Sequence, residues 1–155
     1  MRRARIIAVG KLKTPHWQSA AAHYVKRLAR SLRIEETAVK DADPALPLAG
    51  RKEQEAERLL KALKPQDCPI CLDEYGVMPN SRAFAELLGR LHDAGRVPCF
   101  LIGGAYGLGD SVLAAAEHRI SLGPMTFPHE LARVILYEQL YRAEQIRAGT
   151  GYHHD

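Results

Sequence analysis

Short apolar runs alternate along the chain with longer stretches in which apolar residues recur every three or four positions. Arg5-Ile6-Ile7-Ala8-Val9-Gly10 is apolar and stopped by glycine, the pattern of a buried first strand. Thr14-Pro15 opens a helix with proline at its first position, and Trp17, Ala21, Tyr24 and Leu28 share one side of it. Ile34 to Val39 predicts a second strand, and the proline-rich stretch Asp41 to Gly50 a loop. Arg51 to Leu63 predicts a helix with the stripe Ala56, Leu59, Leu60 and Leu63, with Arg51–Glu55 and Glu57–Lys61 spaced as i,i+4 ion pairs. Cys68 to Asp73 predicts a strand that ends in the loop Glu74-Tyr75-Gly76. Ser81 is the expected cap of a further helix, with Phe84, Leu87, Leu88 and Leu91 on one face and Gly95 as its stop.

From Cys99 onward two more strands flank a short helix with Asp110 as its expected cap. The first runs into Gly103-Gly104-x-x-Gly107-x-Gly109 and the second into Leu122-Gly123-Pro124. The last helix, about His129 to Arg147, is the longest. Leu131, Val134, Ile135, Tyr141 and Ile146 form one broad face, while Leu136, Leu140 and Ala143 lie toward the other side. A helix apolar around most of its circumference packs on its own core and on a second subunit. No repeat or linker interrupts the pattern, so residues 1–155 read as a single α/β domain, a mostly parallel sheet with helices on both faces.

Composition narrows the function classes. With 46% hydrophobic and 26% charged residues, the chain has ordinary globular usage. No apolar run approaches the roughly 20 residues of a membrane span. The basic start Met1–Arg5 precedes only Ile6 to Val9, too short for the apolar part of a signal peptide, so a cytoplasmic location without a membrane partner is expected. The net charge of +4 suits a polyanion. Arg2, Arg3, Arg5, Lys11 and Lys13, with Lys26, Arg27, Arg30 and Arg33 nearby, are candidates for an RNA-facing patch. Three cysteines do not suggest a disulfide framework.

The candidate chemistry gathers at the two glycine-bearing loops, since open α/β sheets collect ligands at the carboxyl ends of their strands. The glycine spacing matches neither G-x-G-x-x-G nor a P-loop, so phosphate specificity is not supported. Two Gly/Pro-rich loops after neighbouring strands instead suggest a backbone-lined pocket suited to the adenosine of a cofactor. Cys68 and Cys71 form a CxxC that would need Cys99 with His92 or His118 to hold zinc, and small buried apolar side chains are the better reading. Glu138 and Arg142 are either a structural ion pair or the border of the pocket. Tyr152, His153 and His154 either end the chain loosely or fold over the pocket and stack on a base. A non-catalytic RNA-binding module and an NAD-dependent Rossmann-like enzyme remain alternatives at this level.

The runs FLIGGAYGL and SLGPMTFPHELARVILYEQLYRA, the opening IIAVGKLK and the terminal Gly-Tyr-His-His together span the chain. They resemble the small bacterial methyltransferases, of the SPOUT superfamily, that modify a pseudouridine at N3 in 23S ribosomal RNA of the large subunit. The resemblance implies a C-terminal trefoil knot, a homodimer in which one subunit's tail completes the partner's site, and S-adenosylmethionine as cofactor. It carries the cofactor contacts onto Leu72, Gly103, Leu122, Gly123, Pro124, Met125, Thr126 and Phe127. On that reading Glu138, Arg142, Tyr152 and His153 are the catalytic candidates, with Arg142 stabilising the N3 anion and Glu138 or His153 accepting the proton. The extreme end departs from the family, in which some members carry Arg or Lys after Tyr-His where His154-Asp155 stand here.

Overall fold

The structure, a computed structural model, describes residues 1–154. Five strands, β1 (Arg2–Val9), β2 (Leu32–Val39), β3 (Asp67–Val77), β4 (Val97–Ile102) and β5 (His118–Ile120), form one sheet in the order β2-β1-β4-β3-β5. Every pairing is parallel. Parallel neighbours require long crossovers, and the helices α1 (Pro15–Leu28), α2 (Leu48–Lys61), α3 (Ser81–Asp93) and α4 (Asp110–Ala115) supply them before α5 (His129–Ala148) closes the chain. The expected parallel sheet with helices on both faces is the fold that forms.

Alternation along the strands divides the core in two. Ala4, Ile6 and Ala8 of β1, with Ile70 and Phe100, face the layer made by α1, α3 and α5. Ile7, Val9, Cys71, Cys99 and Leu101 face the opposite way, onto α2 and α4. Successive strand residues point to opposite faces, and here both faces are covered, which is why the strands read as unbroken apolar runs. Arg5 is the exception within β1. It is 5% exposed, pairs with Asp67 at the start of β3 and donates to Ala62 O at 3.1 Å. Asp67 also accepts the Lys64 N–H at 2.8 Å. Arg5 is therefore a bonded interior cation, not part of an RNA-facing patch.

Several local expectations are corrected. Helix α2 begins at Leu48, inside the stretch expected to be loop, and the Arg51–Glu55 pair gives way to loop anchoring. Arg51 donates to Leu46 O at 2.7 Å and Pro44 O at 2.5 Å, and Glu55 accepts the Ala42 N–H at 3.0 Å, because those loop groups have no ladder partner. Asn80, not Ser81, caps α3, accepting the Ala83 N–H at 2.9 Å, while Ser81 turns to Gln139 at 2.8 Å. Gly109 is the cap of α4 and Asp110 its first helical residue, where an acid complements the helix dipole. Glu74-Tyr75-Gly76 is not a loop. β3 runs through it to Val77, its register against β5 slipping between Leu72 and Val77. A side chain at Gly76 would lie 2.6 Å from the Arg119 backbone, so only glycine lets the two chains pass this closely.

Helix α5 is buried along most of its length, most deeply at Leu136, Tyr137, Leu140 and Ala143. Leu131, Ile135 and Ile146 of the expected broad face are only half-buried, whereas Val134 and Tyr141 are covered. Polar bonds pin the helix to the β1–α1 loop and to strands β1 and β2. Glu130 accepts from the Thr14 hydroxyl at 2.5 Å and from the Lys13 and Thr14 N–H groups at 2.5 and 3.1 Å. These bonds hold the carboxyl of Glu130 down at about 2. Arg133 donates to Gly10 O at 3.0 Å, the Tyr137 hydroxyl donates to Glu36, and Glu144 pairs with Arg2 at 3.5 Å.

A candidate cofactor cleft at the carboxyl ends of three strands

Strands β4 and β5 flank β3 and end at one level along it, with Cys71 opposite Leu101 and Leu72 opposite Ile120, while β3 runs on to Val77. The loops that follow β4 and β5 therefore rise side by side. In the first, Gly104 and Gly107 bridge each other, the Gly107 N–H reaching Gly104 O at 3.1 Å, and Gly107 adopts φ +83°. The turn lies flat against Gly103, where a Cβ would be 2.6 Å from the Gly107 carbonyl. In the second, the Ser121 hydroxyl donates to Gly123 O at 2.9 Å and accepts the Gly123 N–H at 3.1 Å. Gly123 has φ +148°, a conformation open essentially to glycine alone.

Between these loops lies a cleft of about 170 Å³. Seven of the eight expected cofactor positions line it: Leu72, Gly103, Leu122, Gly123, Met125, Thr126 and Phe127. Pro124 is exposed and does not line it. An adjoining cavity of about 560 Å³ shares Leu72, Ile120, Ser121, Leu122 and Gly123 as its wall and extends to Gln139, His153 and His154. The narrow cleft alone is below the roughly 300–1,000 Å³ of small-molecule sites, while the adjoining cavity falls within that range. The cleft's fit to an adenosine-bearing cofactor rests on the two glycine-dependent turns, which present backbone N–H and C=O groups with no side chain in the way.

The four catalytic candidates form one bonded cluster beside the larger cavity. Arg142 grips Glu138 Oε1 through Nε at 3.0 Å and Nη2 at 2.6 Å. The Tyr152 hydroxyl donates to the same oxygen at 3.1 Å, and Gln139 donates to Oε2 at 2.8 Å. Arg142 stacks over the Tyr152 ring at 4.8 Å, and its Nη1 lies 3.2 Å from His153 Nδ1. Guanidinium only donates, so in this contact Nδ1 is the accepting atom. The bond to Glu138 raises the proton affinity of Arg142 further, and burial, then Glu138, raises that of the Tyr152 hydroxyl. Both groups thus stay protonated at neutral pH. Gly149, in the left-handed conformation, ends α5 and turns the chain so that Tyr152 packs edge-on against Tyr141 at 4.8 Å. The tail lies on its own helix, with Asp155 outside the described residues.

Three contributors were not singled out from sequence as site residues. Ser121 fixes the second loop, and Ser-x-Gly before proline was a readable turn signal. Gln139 links Glu138 to Ser81 and Tyr141 backs Tyr152, but both looked like ordinary helix residues. Cys68, Cys71 and Cys99 are free and buried. Burial above all pushes their thiols up to about 12, 11 and 12 respectively, so they remain protonated core side chains. Among the described residues no three His, Cys, Asp or Glu converge to hold a metal ion, and no helix is long and apolar enough to cross a membrane.

The family model described as "Predicted SPOUT methyltransferase" matches residues 2–153. A protein of Nitratidesulfovibrio vulgaris (strain DSM 19637 / Miyazaki F) named ribosomal RNA large subunit methyltransferase H is 58% identical over 155 residues, covering 99% of this chain and 100% of that one. Its namesake in Nitratidesulfovibrio vulgaris (strain DP4) is 54% identical, covering 100% of both chains. Among solved structures, a probable methyltransferase from Bordetella pertussis Tohama I superposes with a TM-score of 0.57 at 19% identity, over 92% of this chain and 96% of that one, a likeness of fold. The chain belongs to the SPOUT methyltransferase family, alongside the proteins named ribosomal RNA large subunit methyltransferase H.

Proposed function

We propose that this protein methylates N3 of a pseudouridine in 23S ribosomal RNA, with S-adenosylmethionine bound in the cleft between the two glycine-bearing loops. The observation that carries the reading is that the cleft and the adjoining cavity share Leu72 and Leu122 as lining, and that His153, bonded into the Glu138–Arg142–Tyr152 cluster, lines that cavity. Leu72, Gly103 and the loop from Leu122 to Phe127 would hold the cofactor, which supplies a methyl activated by its sulfonium. Pro124 acts by shaping the loop and not by contact.

The protein's part is to position the acceptor and favour loss of its N3 proton. A carboxylate whose oxygens already take bonds from Arg142, Gln139 and Tyr152 is poorly placed to accept another proton. The Nδ1 of His153 faces Arg142, so its lone pair is already engaged. The cluster is therefore assigned to anion stabilisation: Arg142 presents N–H groups to charge developing on the uracil-like ring, Glu138 holds Arg142 in place, and His153 lies against its Nη1. The N3 proton leaves to solvent.

The active unit on this reading is a cytoplasmic homodimer with its carboxyl-terminal segment threaded as a trefoil knot. Support for a covering partner comes from Met125 on the cleft, Met78 on the adjoining cavity and Tyr106 in the Gly104–Gly107 turn, large apolar side chains left exposed. Support for the knot is the convergence of both loops and the start of α5 on one cleft. Incubation with methyl-labelled cofactor and free large-subunit RNA, isolated subunits or assembled ribosomes tests the function. Label should appear in a single pseudouridine of one of the three, and no incorporation into any of them would overturn the proposal.

A further inference from the structure

From Met1 to Ile34 the chain carries nine Lys and Arg and no Asp or Glu, against a net charge of +4 for the whole sequence. The basic excess is thus concentrated in β1, α1 and their surroundings. The fold sorts these cations into two sets. Arg2 pairs with Glu144, Arg5 with Asp67, and Arg3 and Arg33 each lie 3.9 Å from Glu35. Lys11, Lys13, Lys26, Arg27 and Arg30 have no acidic partner among the described residues. The patch expected from sequence therefore loses Arg2, Arg3, Arg5 and Arg33 to ion pairing and keeps the cations before α1, Lys11 and Lys13, and those at its end, Lys26, Arg27 and Arg30.

At the end of α1 the unpaired cations meet the candidate site. Lys26, Arg27 and Arg30 border, with Ser31, Tyr141 and Gln145, a shallow groove of about 440 Å³. Arg27 stacks on the Tyr141 ring at 4.5 Å and donates to its hydroxyl at 2.8 Å. Tyr141 meets the Tyr152 ring at 4.8 Å, and Tyr152 carries Arg142. Two guanidinium groups thus bracket a pair of tyrosine rings in one continuous run from the basic groove to the catalytic cluster, each contact fixing the next.

We propose that this groove is a phosphate-binding track for the RNA substrate, with Lys26 and Arg30 neutralising backbone phosphates and the Arg27–Tyr141–Tyr152–Arg142 stack holding the track in register with the acceptor pocket. The proposal rests on the rRNA-methyltransferase reading above. Charge complementarity selects this occupant. A polyanion is attracted by the unpaired cations, whereas a second copy docking the same patch on itself would set like charge against like.

The test is the full-length Lys26→Gln/Arg30→Gln variant in the labelled-cofactor assay, with the RNA form that the wild-type protein methylates. Neither residue belongs to the cleft or the cluster. The expected result is a several-fold higher KM for RNA, with unchanged kcat at saturating RNA and unchanged cofactor affinity. The slope of log affinity against log salt should become shallower by about 0.7–0.9 for each phosphate that is no longer neutralised. Wild-type KM and salt slope would overturn the track. So would a drop in kcat, or an altered oligomeric state by sedimentation, which would make the groove a catalytic or subunit contact. Failure of the underlying reading is separate, because the wild-type protein would then incorporate no label at all.

Discussion

Replacing Gly103 by alanine isolates the cleft from the rest of the molecule. The added Cβ would sit 2.6 Å from both the carbonyl carbon and oxygen of Gly107 and 3.1 Å from the Leu108 nitrogen. Ordinary contact begins near 3.4 Å, so the Gly104–Gly107 turn must give way by most of an ångström. It has little freedom to do so. Gly104 packs on Val9, and Gly109 lies so close to α2 that a Cβ there would be 2.8 Å from Lys52 O. Overpacking of this kind costs about 1–3 kcal/mol. If the strain falls on the loop that presents its backbone to the cofactor, the dissociation constant rises by roughly 5- to 150-fold. Calorimetric titration with S-adenosylmethionine measures this, and a thermal melt of the same sample shows whether the strain has fallen on the fold instead. Gly89→Ala is the control, because that glycine is within α3 with nothing inside 4 Å of the added Cβ, and it should stabilise by about 0.5–1 kcal/mol. Cofactor affinity within twofold of wild type in Gly103→Ala would refute the assignment of this loop as the cofactor wall.

Three further outcomes are expected. Arg142→Ala should lower single-turnover methyl transfer by about 10²-fold, the low end for removal of an anion-stabilising donor because Glu138 offsets part of the guanidinium charge. Its rate should recover toward alkaline pH, where N3 ionises unaided, and a wild-type rate at saturating RNA would remove the role. Glu130 has its folded pKa depressed from 4.5 to about 2, so the stability it contributes is fully present above 4.5 and is lost as pH falls from there toward 2. The melting-temperature gap between wild type and Glu130→Gln should accordingly be constant near neutrality and close below pH 4.5, and a pH-independent gap would contradict the linkage. Arg5→Met should destabilise by about 3–5 kcal/mol by leaving Asp67 buried without its partner, lowering the denaturation midpoint. Arg5→Met/Asp67→Leu should recover most of that stability.

Periodicity made the sheet and its helices readable, because both faces of β1, β4 and the first half of β3 are covered and the amphipathic helices before α5 each carry an apolar stripe. The two glycine-bearing loops were readable for a related reason: only glycine fits where backbone meets backbone at Gly103 or where φ reaches +148° at Gly123. What escaped depends on contacts distant in sequence. Arg5 looked like surface charge since its partner Asp67 is 62 positions away. Asn80 and Ser81 are equally good capping residues, and the choice went to Asn80 once Ser81 found Gln139 on α5. The continuation of β3 through Glu74-Tyr75-Gly76 follows from the nearness of β5, which no local pattern encodes. The order β2-β1-β4-β3-β5 is likewise absent from any periodicity.

The reversal at Gly149 has a practical side. It returns Tyr152 to α5 and brings His153 and His154 into the wall of the larger cavity, so anything fused beyond these histidines begins at the mouth of the site. Arg2, by contrast, opens β1 and pairs with Glu144 near the far end of α5, away from the strand ends that bear the cleft. Affinity tags, surface tethers and fluorescent reporters therefore belong at the amino end, where they leave the acceptor pocket clear.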